Sequence, residues 1–558
     1  MENGSELFGM LTIRSLKLGI KTYIERVVPY KYIFCLLFLN FFTHYLFIFQ
    51  YSFVGDDWTD IVYFASRNMS LTHLMLESQR PLSYVIFKVA VETFGSYAFA
   101  YQILNLITTS LIILLVFLIS KTILAKVFED STIYAFLVAI FFCVIFNIDQ
   151  LYSWGVISIN NFSIIFYLST FYFYINAERK QYYLFLSIFS FLIAVFSYEL
   201  GIFFPIICFF YDIIFNQNWK KSLWYIIPLG IYGIIRETHW FGFGWVYTDR
   251  DYSNLSQFLQ EFCQNILNIF KYEISLTKAN IFHGASGLFN LNHIVFVALI
   301  FSDCICIFLI FKYLLIPGFS KSCKYYNFQN AVKLLCIGIL GVLLSNTIIS
   351  FSGGVESRHL IFIDFFIFLS IVAFVGPLLT KKLAVISLFC IILISLLISQ
   401  GLAVNWIIAG DICNSVNQSI SENSKNISQY NYVFVNSDEL LNSISNSELK
   451  YNLDNLQLYN GWLYMYLNSD CLPYWSVGSM LYGGGVANTS RIHLIYGNMI
   501  DYNQANVILT SYNGSITYED MTTETYHSIN RTEYFEFNST NLLSHFYTKE
   551  HLEFLFLQ

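Results

Sequence analysis

The residues with the most chemical potential are two adjacent carboxylates. Asp56 and Asp57 follow the first long apolar run, in Gly55-Asp56-Asp57-Trp58, with Asp60 close behind. Adjacent carboxylates raise one another's pKa, which can poise one of them as a general base near neutral pH. Arg80 lies in the same polar stretch. Glu199 stands alone between two apolar runs. Arg236, Glu237 and His239 end a later run, and Glu356, Arg358 and His359 begin another. Carboxylates can take a proton from an attacking hydroxyl. Guanidinium groups suit the charge that gathers on a departing phosphate, because their planar fork matches phosphate oxygens. Singly, each group also fits a plainer role: a solvated loop for the acidic pair, a water-facing turn for Glu199, snorkelling interfacial anchors for Arg236 and Arg358. His239, His283 and His359 read more simply as interfacial residues than as metal ligands. The case for a site rests on the set.

The elements that must position this set are membrane helices. The 558 residues are 56% hydrophobic and 12% charged, with a mean hydropathy of +0.56. Soluble domains carry about 25% charged residues, so lipid must be the solvent for much of this surface. No basic stripe suggests nucleic acid. Spans of about 20 apolar residues are expected at 32–52, 97–120, 132–148, 157–176, 182–197, 200–215, 223–236, 294–316, 332–351, 359–379 and 383–405, about 11 transmembrane helices. Basic residues precede the first run, and no small-residue cleavage site follows it. Residues 1–31 are therefore expected to be a cytoplasmic segment before a retained helix. Every short basic cluster then falls on the cytoplasmic side: Lys121 and Lys126, Arg179 and Lys180, Lys220 and Lys221, Lys321 and Lys324, Lys381 and Lys382. Both flanks of 182–215 are basic, so it must cross twice, turning near Ser197-Tyr198-Glu199. All the candidate site residues then emerge on the opposite face, at ends of different helices, where intramembrane charge costs least. That face also takes residues 406–558, a polar, Asn- and Ser-rich stretch. Strand-like runs there, such as Tyr432-Val-Phe-Val435 and Trp462-Leu-Tyr-Met-Tyr466, alternate with turn signals including Asn513-Gly514. The expectation is an α-helical polytopic membrane protein with a membrane domain at 32–405. Its first external loop is 53–81, and a small α/β or mostly β extracytoplasmic domain covers 406–558. Cys413 and Cys471 both lie in that polar region and could pair there.

The order of these features resembles the GT-C superfamily of membrane glycosyltransferases, which use polyprenyl- or dolichyl-phosphate sugars. An acidic motif after helix one is matched by Gly55-Asp56-Asp57-Trp58. An Arg-Pro at the end of the first loop is matched by Gln79-Arg80-Pro81-Leu82. Phe94-Gly95 and Tyr101-Gln102-Ile103-Leu104-Asn105 follow, as in members like the protein O-mannosyltransferases. Ser197-Tyr198-Glu199 before Pro205 is similar to a Ser-Lys-Glu turn, with tyrosine in place of lysine. Tyr232 with Arg236, and Arg358-His359, fit two later helix-end motifs. The resemblance covers roughly 50–380 and implies a GT-C-like fold. It implies inverting transfer, with Asp56 or Asp57 as base and Asp56 favoured. Arg236 and Arg358 would hold the donor phosphate, and Arg80, Glu199, His359 and Trp58 would complete the substrate site. It implies no essential metal, although paired carboxylates such as Asp56 and Asp57 also suit Mg²⁺ or Mn²⁺. The compact bacterial members resemble this plan most. They move glucose from a polyprenyl-phosphate carrier onto O-antigen of lipopolysaccharide at the periplasmic face of the inner membrane. Partners would be the lipid-linked donor, a glycan or lipid-linked acceptor, and the bilayer.

Other classes compete. A flippase for lipid-linked sugars would show repeats and charges near the midplane, whereas these charges sit at helix ends. A glycan polymerase or ligase would put critical arginines in large late loops. A membrane scaffold would bind partners through the C-terminal stretch.

Overall fold

The computed structural model describes residues 30–54, 57, 61, 80–216, 219–237, positions between 264 and 289, 291–322, 326–352, 357–422 and six strand segments between 432 and 537. The expected cytoplasmic segment 1–29 lies outside the described residues. Among the described residues, seven helices are long and apolar enough to cross a membrane. The chain is therefore an α-helical, multi-pass membrane protein.

The first helices are α1 (Tyr30–His44), α2 (Pro81–Phe94), α3 (Ala98–Leu124) and α4 (Ser131–Val144). Helix α2 starts on Pro81, whose missing N–H costs nothing at that position. It stops at Gly95, whose φ of 56° favours glycine and whose N–H closes back on the Val91 carbonyl at 2.8 Å. Helix α4 is capped by Asp130, which accepts from the Thr132 N–H at 3.1 Å. Its residues are buried on nearly every face. A helix apolar all round belongs at the centre of a bundle, and α4 packs against both α1 and α3.

Helix α3 carries Gln102, Asn105 and Thr109 on one face, at spacings of three and four. Thr109 accepts from Asn40 of α1 at 3.1 Å, while α5 (Asp149–Ser153) and α6 (Ile157–Asn176) receive Gln102 and Asn105. Gln102 Nε2 donates to the Ser153 carbonyl at 2.8 Å and Asn105 Nδ2 to the Trp154 carbonyl at 2.8 Å. Asn161 Nδ2 donates to Asn105 Oδ1 at 3.1 Å. In lipid, where apolar side chains gain little by leaving the solvent, such interhelical hydrogen bonds select the packing.

Around α6 the chain reverses direction at the expected turn. Helix α7 (Tyr182–Ser197) meets it with Phe191 at Tyr167 and Tyr183 at Phe173. Helix α8 (Phe204–Tyr211) meets it with Phe204 at Tyr167, and Asp212, just past its end, accepts a hydrogen bond from Tyr174. One pairing runs antiparallel to α6 and the other parallel, so α7 and α8 are opposed. The reversal falls at Tyr198, which is extended, and at a 3-10 turn over Glu199–Gly201.

The remaining helices are α9 (Ile226–Glu237), α10 (His293–Ile310), α11 (Ile316–Ser322), α12 (Phe328–Ser352), α13 (Ile361–Val375) and α14 (Lys382–Glu422). Helix α14 continues past residue 405 to Glu422, across the expected boundary at 406. Its polar continuation is still tied to the bundle, with Asn414 Nδ2 donating to Ser52 Oγ at 2.6 Å. Beyond it, strands β1 (Tyr432–Val435), β2 (His493–Tyr496) and β6 (Tyr534–Phe537) form a parallel sheet in the order β2-β1-β6. Strands β3 (Val507–Thr510), β4 (Ile516–Asp520) and β5 (Thr525–Ile529) form an antiparallel one. The expected strand at Tyr432–Val435 is β1. The run at 462–466 and Cys471, and with it the Cys413 pairing, lie outside the described residues.

Loop contacts sort into two ends. At one, Lys126 Nζ reaches Asn216 Oδ1 at 3.1 Å, Asn330 Nδ2 donates to the Lys126 carbonyl at 2.7 Å, and Lys221 lies 3.7 Å from Glu178. Asp212 is buried there among Tyr174, Asn216 and Lys221. At the other, Trp154 Nε1 donates to the Val54 carbonyl at 3.1 Å and Trp406 Nε1 to Asp149 Oδ2 at 3.0 Å. The basic clusters at Lys126 and Lys221 share the first end, as the charge pattern predicts.

Gly284 and Gly401 allow backbone to touch backbone: a Cβ on Gly401 would collide with the Gly284 carbonyl. Gly230, by contrast, has open space at its Cβ position. Gly401→Val is expected to destabilise the protein by about 1–3 kcal/mol, whereas Gly230→Ala stays within about 0.5 kcal/mol or gains slightly. Thermal unfolding in detergent reads both, and equal effects would contradict this packing.

Candidate functional site

The site is built around Glu199. Its position follows from the chain reversal between α7 and α8, since Tyr198 breaks the helix and the 3-10 turn presents the next residue inward. Glu199 Oε2 accepts from Arg80 Nε at 3.1 Å, and Oε1 from an Arg236 terminal nitrogen at 2.6 Å. Tyr232, one helical turn before Arg236 on α9, donates to Oε1 at 3.2 Å. The four-residue spacing of Tyr232 and Arg236 puts both on the same face of α9. Arg236 is 1% exposed and Arg80 28%, so one guanidinium is sealed inside while the other meets the surface.

Tyr198 extends the set. The Arg80 guanidinium carbon lies 4.2 Å from the centre of the Tyr198 ring, a cation–π contact. The Tyr198 hydroxyl is 3.0 Å from His359 Nε2. The Tyr198 carbonyl accepts from Tyr167 at 2.9 Å, and Ser83, on the first turn of α2, donates to the Ser197 carbonyl at 2.6 Å. Gly201 packs directly on the Tyr167 ring. Thus Arg80, Glu199, Arg236 and His359, drawn from four distant stretches of sequence, meet in one network. Tyr198 and Tyr232, matched only as parts of motifs in the sequence, are the residues that join them.

Asp57 occupies a different place in the same end. It is fully buried. Its Oδ2 accepts from the Val54 N–H at 3.1 Å and its Oδ1 from the Val156 N–H at 2.6 Å. Val156 caps the start of α6, where the helix dipole and unpaired N–H groups favour a negative charge. Gly155 leaves room for the carboxylate: a Cβ there would sit 3.2 Å from both its oxygens. Asp57 therefore pins the segment after α1 to the loop before α6. That loop follows α5, and α5 packs against the 3-10 turn Ser357–Leu360 that carries His359. A continuous chain of contacts joins Asp57 to the arginine cluster.

Asp56 and Trp58 lie outside the described residues, as does the Arg358 side chain, although the Arg358 backbone belongs to that 3-10 turn. Among the described residues, no group of three His, Cys, Asp or Glu gathers to hold a metal. The donors on Asp57 are backbone N–H groups, a setting for a fixed carboxylate more than for a cation that demands several oxygen ligands.

Burial governs the neighbouring titratable groups. It raises the Tyr51 phenol above its usual range, against an opposing Ser153 hydrogen bond, and the protonated hydroxyl donates to the His44 carbonyl at 3.0 Å. Burial lowers the His283 imidazole to about 4.

One finding corrects the expectation that charges sit only at helix ends. Asp303 is buried in the middle of α10, and Asp364 is buried on α13. A lone aspartate in an apolar run gives no periodic signal, but its mere presence in a span was the available clue.

Replacing Arg236 by Met is expected to cost about 3 kcal/mol, since it removes one partner of a buried pair. Arg80→Ala should cost roughly 1 kcal/mol, as expected of a partly exposed pair. Adding Glu199→Leu to Arg236→Met should restore stability. Chemical or thermal unfolding checks all three, and an additive double mutant would contradict a coupled pair. His283 is neutral in the fold and protonates more readily when unfolded, so stability should fall as pH drops from about 6.5 towards 4. His283→Asn should flatten that slope in unfolding curves taken across the range. Against known proteins, no family model matches the chain, and no curated protein matches it.

Proposed function

We propose that the chain is a GT-C-type glycosyltransferase that moves a sugar from a polyprenyl-phosphate carrier to a glycan acceptor. The observation that carries this reading is the convergence of Arg80, Arg236 and His359 around Glu199 at one end of a membrane bundle. Two guanidinium groups held on one carboxylate are already oriented for oxyanions. A lipid phosphate brings such oxygens, and its tail needs the apolar helix surface beside them. Arg80 faces the surface and is placed to make first contact with a donor phosphate. Arg358 would join it from the turn that carries His359.

The two aspartates then divide the work. Asp57, buried and bound to two backbone N–H groups, is a positioning residue for the first loop. The proton of the acceptor hydroxyl goes to Asp56, its neighbour in sequence. The attack inverts the anomeric carbon, and the departing lipid phosphate gathers its charge against the arginines. Trp58 supplies an aromatic wall for the sugar.

The helices alternate between the two ends in a way that fits eleven crossings, four of them shorter or less apolar than the seven clear spans. With the lysine-bearing end cytoplasmic, the site and residues 406–558 face outward, periplasmic in a bacterial inner membrane. The sugar is a hexose such as glucose and the acceptor a surface glycan such as O-antigen.

Asp56→Asn should lower the turnover number by about 10²–10⁴-fold, the usual contribution of a general base, without shifting the unfolding temperature. Asp57→Asn should lower both, because an amide nitrogen must face a backbone N–H. The assay is transfer from a polyprenyl-phosphate sugar in proteoliposomes. Full activity in both variants would sink the reading.

A further inference from the structure

The spans contain a polar pair that the transfer reading does not use. Asp303 lies on α10, ten residues and about 15 Å of helix rise from His293. The hydrocarbon layer is about 30 Å thick, so Asp303 sits near its middle. Gln400, on α14, donates from Nε2 to Asp303 Oδ1 at 3.1 Å and also lies 3.2 Å from the Phe42 carbonyl on α1. Both side chains are almost completely buried. Helices α10 and α14 pack together, and α14 packs on α1, so the pair is enclosed by three helices.

Among the described residues, the charge of Asp303 has no counterion. Among the described residues no Lys, Arg or His lies within ion-pair distance of it. Helix α14 carries no charged residue between Lys382 and Asp411. On α10 the neighbouring titratable group is Cys306, which in turn faces Cys35 of α1. His44 of α1 is turned to the Cys143 carbonyl and the Tyr152 ring. Lys312, beyond the end of α10, is exposed and lies over the Phe308 and Tyr313 rings. An isolated carboxylate at membrane depth costs several kcal/mol, and such groups respond by taking a proton.

The hydrogen-bond pattern points the same way. Asp303 Oδ2 and Gln400 Oε1 are both buried without a hydrogen-bond partner among the described residues. The amide nitrogen of Gln400 is already committed to Asp303 Oδ1 and the Phe42 carbonyl. Only acceptors are left over. One proton on Oδ2 removes the charge and supplies the donor that this pair lacks.

We propose that Asp303 and Gln400 form an intramembrane proton-binding site, a carboxylic acid paired with an amide between α10, α14 and α1. The site stands apart from the transfer reading, since neither residue belongs to the arginine cluster. It holds its proton at neutral pH and gives the bundle a neutral polar lock at that depth.

Infrared spectroscopy of the full chain in lipid tests this. The wild-type spectrum at pH 7 should contain a protonated-carboxyl C=O band that disappears in Asp303→Asn and persists in Asp364→Asn. Gln400→Leu should shift that band upward, because the C=O loses its amide donor. This shift assigns the band to Asp303 even if Asp303→Asn fails to fold. Absence of a band sensitive to either change at pH 7 would overturn the proposal by showing an ionised group. Loss of the band on adding Na⁺ at fixed pH would overturn it in favour of a cation site.

Discussion

One buried carboxylate sets the terms for the end of the bundle that carries the candidate site. Glu199 would be prohibitively costly among apolar helices without compensation. It is compensated twice, by Arg236 from within the bundle and by Arg80 from the rim, with a phenol from Tyr232 filling out one oxygen. Each partner comes from a different part of the chain. The pair thus fixes where α9 ends, where α2 begins and how the turn between α7 and α8 is aimed. Removing Glu199 would leave the buried Arg236 guanidinium without its carboxylate, which makes the cluster a strong selector of a single arrangement.

In the proposed reading, the same constraint prepares the site for an anion. Arginine forks held by a protein carboxylate have already surrendered much of the side-chain entropy that ligand binding would otherwise cost. Arg80 is stacked on Tyr198 and oriented by Glu199, and in the proposed reading this is the group that phosphate oxygens meet. Tyr198 passes the same rigidity to His359. Asp57 performs the matching task for the first loop by binding the N-terminal end of α6. In the proposed reading, positioning of a base and of a phosphate are separate jobs, done by separate carboxylates.

Much of this arrangement is legible in the sequence, for a definite reason. Lysines segregate to one side of a membrane protein, so the flanks of 182–215 call for a reversal where hydropathy alone shows a single run. That inference puts Glu199 at a turn, where the structure has it, and predicts its company. Other features are hidden because their partners are distant in sequence. Nothing near Asp57 announces that its carboxylate binds a backbone N–H 99 residues away. Tyr198 looks like a substitution in a phosphate-binding turn, yet it bridges Arg80 and His359. Helix α14 runs on to Glu422, because helix formation needs no apolar composition once the helix is nucleated. The Gly284 and Gly401 contact is equally invisible, since glycine in an apolar helix reads as tolerated and gives no partner.

The central claim is that the arginine-bracketed end consumes a lipid-linked sugar at that face. The most direct measurement follows a labelled polyprenyl-phosphate sugar in sealed proteoliposomes of known orientation, with acceptor glycan supplied on the outward face only. The account predicts that label leaves the lipid and appears on the acceptor when the donor occupies the outward leaflet. Appearance of the intact lipid-linked sugar in the opposite leaflet, with no label on the acceptor, would contradict it and make the protein a transporter.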